Sequence, residues 1–234
     1  MMSTFLLVHG GSIGGWCWHK VKNCLEQCGH RVYTPDLPGH ESDFNGNYSE
    51  ITFEKYVHHI TNQIRRIDSR LILVGHSLGG AVITKVLECI DSNLVQKVIY
   101  VCAMVPANGG VIGKLLDAEQ ELKKVTKIDK SRMCIDLLPG FWEVVFNRCS
   151  SEDITYAQKR IVPQPLLPLS VPISIKAKGA IKKIGIVCNN DLSLSPKTQE
   201  TMYKNAGCEL KTLDSGHAPY FSHAKELSAI LMND

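Results

Sequence analysis

No stretch of this sequence is apolar for long enough to cross a bilayer, and no basic leader with a cleavage site opens it. The first apolar run, Phe5-Leu6-Leu7-Val8, passes straight into glycines and is read as a strand. Charge of one sign is also scarce. The net value is +3 and the lysines are scattered, which gives neither a nucleic-acid groove nor a membrane-binding face. Cysteine is present but unpatterned: nine residues, an odd number without regular spacing, make no disulfide framework and point to reduced thiols in a cytoplasmic protein. Cys24 and Cys28 stand one helical turn apart, yet no histidine pair at ligand spacing completes a zinc site. The adjacent His58 and His59 would point to different faces of a helix. Internal repeats and low-complexity tracts are missing too, so the 234 residues are expected to build one sizeable core.

Apolar runs alternate with amphipathic segments, the pattern of a mostly parallel α/β sheet of about six strands with helices on both faces. The expected strands are Phe5–Val8, Arg31–Thr34, Leu71–Val74, Lys97–Val101, Lys183–Val187 and Glu209–Leu213. Trp16–Cys28 reads as a helix closed by Gly29. Phe53, Tyr56, Val57, Ile60, Ile64 and Ile67 recur at helical spacing behind a Thr52 cap. Ala81–Glu88, Lys197–Asn205 and His223–Met232 are further helices. The alternation breaks after Val105-Pro106-Ala107. From there to about Ile181 the chain has helical pieces, no clear buried strand, and Pro163, Pro165, Pro168 and Pro172 in its second half. The expected division is a core of residues 1–106 and 182–234 with a small helical cap, 107–181, inserted after the fourth strand. Such a cap would cover the carboxyl ends of the strands, where open α/β sheets bind ligands.

The chemistry concentrates at Gly75-His76-Ser77-Leu78-Gly79. A serine between glycines, after a buried strand and before a helix, is the pattern of a nucleophile elbow. The tight turn lifts the hydroxyl clear of the sheet at a helix N-terminus, which favours negative charge. A serine hydroxyl is a poor nucleophile and needs a positioned base. His217, in Asp214-Ser215-Gly216-His217 after the last strand, stands at the same rim of the sheet. Asp191, in the loop after Ile184–Val187, is the preferred acid to orient it; Asp214, only three residues before His217, more naturally shapes the turn. The oxyanion donors are assigned to the N–H of Leu78 and to the glycine loop His9-Gly10-Gly11-Ser12, with Gly11 preferred. That loop does not fit Gly-x-Gly-x-x-Gly, and no Gly-Lys-Ser/Thr follows, so nucleotide binding has little support.

These residues resemble the α/β-hydrolase superfamily, and within it the plant methylesterase and hydroxynitrile lyase family with its bacterial carboxylesterase, pyrethroid-hydrolysing relatives. The likeness runs nearly end to end. It is strongest in Phe5–Gly11, Gly14-Gly15-Trp16-Cys17-Trp18, Gly29-His30-Arg31-Val32, Asp36-Leu37-Pro38-Gly39-His40, Gly75–Gly80 and Asp214–Ser222, and weakest in the cap. The resemblance implies the triad Ser77, Asp191 and His217, with oxyanion donors at Gly11 and Leu78. It also implies a sheet lacking the two leading strands of larger hydrolases. The cyanohydrin-cleaving branch has a threonine after the first-strand histidine and a lysine after the catalytic histidine. Gly10 and Ala218 stand there instead, which disfavours the lyase.

The expected activity is therefore that of a serine carboxylesterase acting on small, largely apolar esters, with no metal and no organic cofactor. Acyl transfer, thioester hydrolysis, cyanohydrin cleavage and a non-catalytic ligand receptor are the alternatives on the same scaffold. Ser12, His76, Trp142 and Tyr220 are the candidate pocket residues. The expected partner is a small-molecule ester, with a homodimer left open, and neither nucleic acid nor membrane.

Overall fold

The computed structural model describes residues 2–41, 43–175 and 181–233. Residues 176–180 of the expected cap lie outside that set. Four strands precede the insertion: β1 Thr4–Val8, β2 Arg31–Tyr33, β3 Leu71–His76 and β4 Val95–Val101. Within the insertion lie β5 Gly110–Val111, β6 Thr126–Asp129, β7 Cys134–Leu137, β8 Gln164–Pro165 and β9 Pro172–Ile173. The last two strands are β10 Lys182–Cys188 and β11 Glu209–Leu213. The central sheet is six-stranded and parallel, in the order β2-β1-β3-β4-β10-β11.

The apolar runs are buried on both faces because helices cover both. Side chains alternate across a strand, so Leu6 and Val8 of β1 enter one core while Phe5 and Leu7 enter the other. The first core is closed by the helices Phe53–Arg66 and Leu78–Val86, through residues such as Tyr56, Ile60, Val82 and Val86. The second is closed by His19–Gln27 and Ala224–Asn233, through Val21, Leu25, Leu227 and Leu231. The expected caps are in place. Thr52 accepts a hydrogen bond from the Lys55 N–H at 3.3 Å, and Gly29, at φ +83°, takes the left-handed turn that ends the first helix.

Between β4 and β10 the described residues form five short helices, from Ile112–Asp117 to Leu167–Ser170, and strands that the sequence did not announce. β6, β7 and β8 form a three-stranded antiparallel sheet, and β5 pairs with β9. These strands are two to four residues long and mix buried, half-buried and exposed positions, so no alternating pattern marks them. The β6–β7 turn is instead pinned by Asp129, which accepts from the N–H groups of Ser131 and Arg132. A buried carboxylate, Glu119, ties the segment to the core. It accepts from the Ser195 N–H at 3.0 Å, the Ser195 hydroxyl at 3.2 Å and the Thr198 hydroxyl at 2.6 Å, at the start of the helix Pro196–Asn205. No helix among the described residues is long and apolar enough to cross a membrane.

Candidate active site

Parallel strands bring their carboxyl ends to one rim, and four loops meet there. Ser77 follows β3 at φ +50°, ψ −123°, a conformation that side-chain-bearing residues rarely adopt. The fold over-determines this turn. The Ser77 N–H donates to the Val101 carbonyl, and its carbonyl accepts from Gly80 and Met104. The flanking glycines are required by space: a Cβ on Gly79 would stand 2.5 Å from the carbonyl oxygens of Val8 and His9, and one on Gly75 would stand 2.8 Å from the Gly79 backbone.

The hydroxyl of Ser77 lies 3.1 Å from His217 Nε2, and His217 Nδ1 lies 2.7 Å from Asp191 Oδ2. With Nδ1–H donating to the carboxylate, Nε2 is left as the acceptor for the serine proton. Asp191 is itself held: Oδ1 accepts from the N–H groups of Ser193 and Leu194 at 2.8 and 2.9 Å. Asp214, the rival acid, has a side chain 76% exposed, and it is engaged by Arg148 and the Asn190 amide rather than by the imidazole.

The second acceptor on Asp191, Oδ2, is shared with Gln199, whose Nε2 donates to it at 2.9 Å. The same side chain donates to the Leu194 carbonyl and accepts from the Cys188 N–H, so it fastens the end of β10 to the acid loop. Asn147, from the inserted segment, donates to the Asn190 carbonyl at 2.7 Å. It also packs over Gly216, where a Cβ would meet Asn147 Oδ1 at 2.1 Å. No motif flags Gln199 or Asn147, because their partners are distant loops.

The glycine loop is aligned from behind. His9 Nδ1–H donates to the Gly10 carbonyl at 2.7 Å while Nε2 accepts from the Leu37 N–H at 2.8 Å. In a trans peptide the carbonyl and the next N–H point in opposite directions. Drawing the Gly10 carbonyl toward His9 therefore turns the Gly11 N–H away from it. Among the described residues the N–H groups of Gly11 and Leu78 have no recorded acceptor. Gln164 of β8 reaches over this loop. Its Oε1 accepts from Ser12 N–H and His40 Nε2, and a Cβ on Gly11 would meet it at 2.7 Å. Gly10 is equally constrained, since a side chain there would stand 2.8 Å from Ser77 Cβ and 3.0 Å from His76 Nδ1.

A cavity of about 640 Å³ opens on Ser77 and His217. Gly11, Ser12, His76, Leu78 and Tyr220 line it, as do Gln164 and apolar side chains of the inserted segment such as Leu122, Leu137 and Phe141. Trp142 does not line it, which corrects the sequence expectation. Adjacent helical residues point in different directions, so Phe141 faces the cavity while Trp142 packs against Phe146, ring centres 5.3 Å apart.

Three buried imidazoles surround the site. Burial holds His9 and His76 well below the ordinary histidine range, and holds His40 below it. His76 Nε2–H donates to the His217 carbonyl at 2.8 Å, supporting the histidine loop. Because the folded state keeps these rings neutral, the unfolded chain binds more protons once the pH falls below about 6.5. Stability is therefore present above that pH and is lost as the medium is acidified through it. Urea midpoints measured from pH 8 to pH 5 should fall on the acid side, and substituting His40 by glutamine should flatten the fall. Among the described residues, His76, Cys102 and His217 come near enough to suggest a metal group. Both ring nitrogens of His217 are already engaged, by Asp191 and Ser77.

The profile of the Alpha/beta hydrolase family matches residues 5–230. The chain belongs to that family. Among curated relatives of this α/β hydrolase is methylesterase 3 of Arabidopsis thaliana, 28% identical over 251 residues, covering 97% of this chain and 94% of the relative. Among solved structures, polyneuridine aldehyde esterase is 25% identical with a TM-score of 0.83, covering 100% of this chain and 99% of that one. A pyrethroid hydrolase from Sphingobium faniae JZ-2 shares the fold at a TM-score of 0.86 and 23% identity, covering 99% and 96% of the two chains.

Proposed function

We propose that this α/β hydrolase is a serine carboxylesterase. The observation that carries the reading is the unbroken relay from Asp191 through His217 to Ser77, opening on a cavity with two unengaged N–H groups. Ser77 Oγ attacks the ester carbonyl as His217 Nε2 takes its proton. The carbonyl oxygen gains negative charge and is received by the N–H groups of Gly11 and Leu78. The tetrahedral species collapses, and His217 returns the proton to the departing alcohol. Water then enters, His217 removes its proton, and the acyl group leaves Ser77 as a carboxylic acid. Asp191 holds the imidazole in the required tautomer and stabilises its charged form.

The segment 107–181 acts as the cap that supplies most of the apolar wall. Relatives named as methylesterases and esterases favour ester hydrolysis over the other chemistries. The steric demand at Gly10, hemmed by His76 and Ser77, disfavours the threonine of cyanohydrin cleavage. A screen of p-nitrophenyl esters of graded acyl length, run beside methyl esters of aromatic acids, tests the reading. Hydrolysis of short or medium apolar esters is the expected result; inertness toward all of them would exclude it.

Gln199 is assigned the role of holding the acid. Gln199→Met removes the donor to Asp191 and the acceptor for Cys188 N–H. Its kcat is expected to fall on the order of tenfold or more with KM little changed, the size expected when buried polar groups lose a partner. Steady-state kinetics on the same p-nitrophenyl ester, with a thermal melt alongside, separates that effect from simple unfolding.

A further inference from the structure

The cavity wall is not electrically neutral. Lys114 of the helix Ile112–Asp117, Lys123 of the helix Gln120–Lys124 and Lys127 of β6 all line it, against a single carboxylate, Asp117. All three lysines are exposed to solvent, and among the described residues none is recorded in an ion pair. Their neighbours on the same segment behave differently. Lys124, which does not line the cavity, pairs with Glu121 at 2.6 Å, and Arg132 pairs with Asp129 and Asp136. Three cations of the cavity wall are thus left without an ion pair, whereas Lys124 and Arg132 beside them are neutralised.

The three lysines stand at the exposed side of the cavity while Ser77 and His217 are buried, and the lining they share includes the apolar side chains of Leu116, Leu122, Ile135, Leu137 and Phe141. The buried and exposed parts of the cavity thus ask for different groups. The buried part takes an ester carbonyl, the apolar side chains take hydrocarbon, and the exposed wall takes a negative charge. We infer that the preferred substrate is an ester with a free carboxylate remote from the scissile bond, such as the monoester of a long dicarboxylic acid. This inference rests on the esterase reading above. The lysines are spread over two helices and a strand, so they offer a diffuse positive field and no rigid cradle. That suits a mobile terminal carboxylate better than a phosphate, which is bound through fixed multidentate contacts. A cationic remote end would meet the same field as repulsion.

The reaction is ordinary hydrolysis. The acyl C–O bond breaks, a bond from the acyl carbon to Ser77 Oγ forms and is then replaced by one to water oxygen, and the alcohol departs with a proton. The remote carboxylate is unchanged throughout.

The test compares two methyl esters of equal chain length, monomethyl sebacate and methyl decanoate, by kcat/KM for each protein, so that any general loss of activity cancels in the ratio. The native protein should prefer the anionic ester by about tenfold, the size expected for a few exposed charge contacts. The preference should reside in KM and should shrink in 0.5 M sodium chloride, because exposed charges are screened. The combined replacement Lys114→Gln, Lys123→Gln and Lys127→Gln should bring the ratio close to one, while Lys124→Gln should leave it as it is. Turnover of methyl decanoate with a ratio of one or less in the native protein overturns this inference and leaves the esterase reading standing. So does a preference that survives the triple replacement. Failure to hydrolyse either ester, or any p-nitrophenyl ester, overturns both.

Discussion

Replacing Ser77 by alanine lowers ester turnover by roughly four to six orders of magnitude, the loss found when the nucleophile of a serine–histidine–acid set is removed. Alanine keeps the Cβ and therefore the same backbone demand at φ +50°. It deletes only the oxygen that stands 3.1 Å from His217. The folded state should survive, with a melting temperature close to that of the native protein. Ser77→Gly separates strain from chemistry. Glycine occupies positive φ without steric cost, so this variant should be as inactive as alanine yet more stable, by on the order of 1 kcal/mol. Denaturant titration and steady-state kinetics on the two variants decide the matter. An alanine variant with near-native turnover of an activated short-chain ester would remove Ser77 from the mechanism.

Asp191→Asn is the second large loss. Asparagine preserves the shape but presents an amide where the imidazole N–H requires an acceptor, so the histidine is held in the wrong tautomer. A drop of roughly four orders of magnitude in kcat is expected, by analogy with the same change in other serine hydrolases. Asp214→Asn gives the contrast. That side chain faces solvent and pairs with Arg148 at 3.6 Å, a contact worth little in water. Its kcat should stay within about twofold and its stability within about 0.5 kcal/mol of native. Kinetics on both variants under one set of conditions checks the assignment; the opposite pattern would transfer the acid role to Asp214.

The parts of the site legible in the sequence are those that backbone geometry imposes on residue type. The turn at Ser77 leaves no room for side chains at positions 75 and 79, so it writes glycine on both sides of the serine. Asp191 and His217 follow the last two strands, and parallel strands deliver their ends to one rim; chain order alone then brings the three groups together. Gln199 and Gln164 were not legible for the opposite reason. A glutamine in a polar helix or a proline-rich stretch looks like surface, and only folding places it against Asp191 or over Gly11. Trp142 misled because hydrophobicity does not tell which of two adjacent aromatic residues meets the cavity, and here it is Phe141. The short strands β6 to β8 are too brief for period-two alternation to show, so the inserted segment read as helical.

The most direct measurement is covalent capture of the nucleophile. A fluorophosphonate reacts where a serine oxygen, a base and oxyanion donors coincide, and the resulting mass is read on the intact protein and on the peptide that carries it. One adduct per chain is expected, on Ser77, formed quickly in the native protein and very slowly in His217→Ala. Rapid ester hydrolysis without labelling of Ser77, or with the label on another residue, would contradict it.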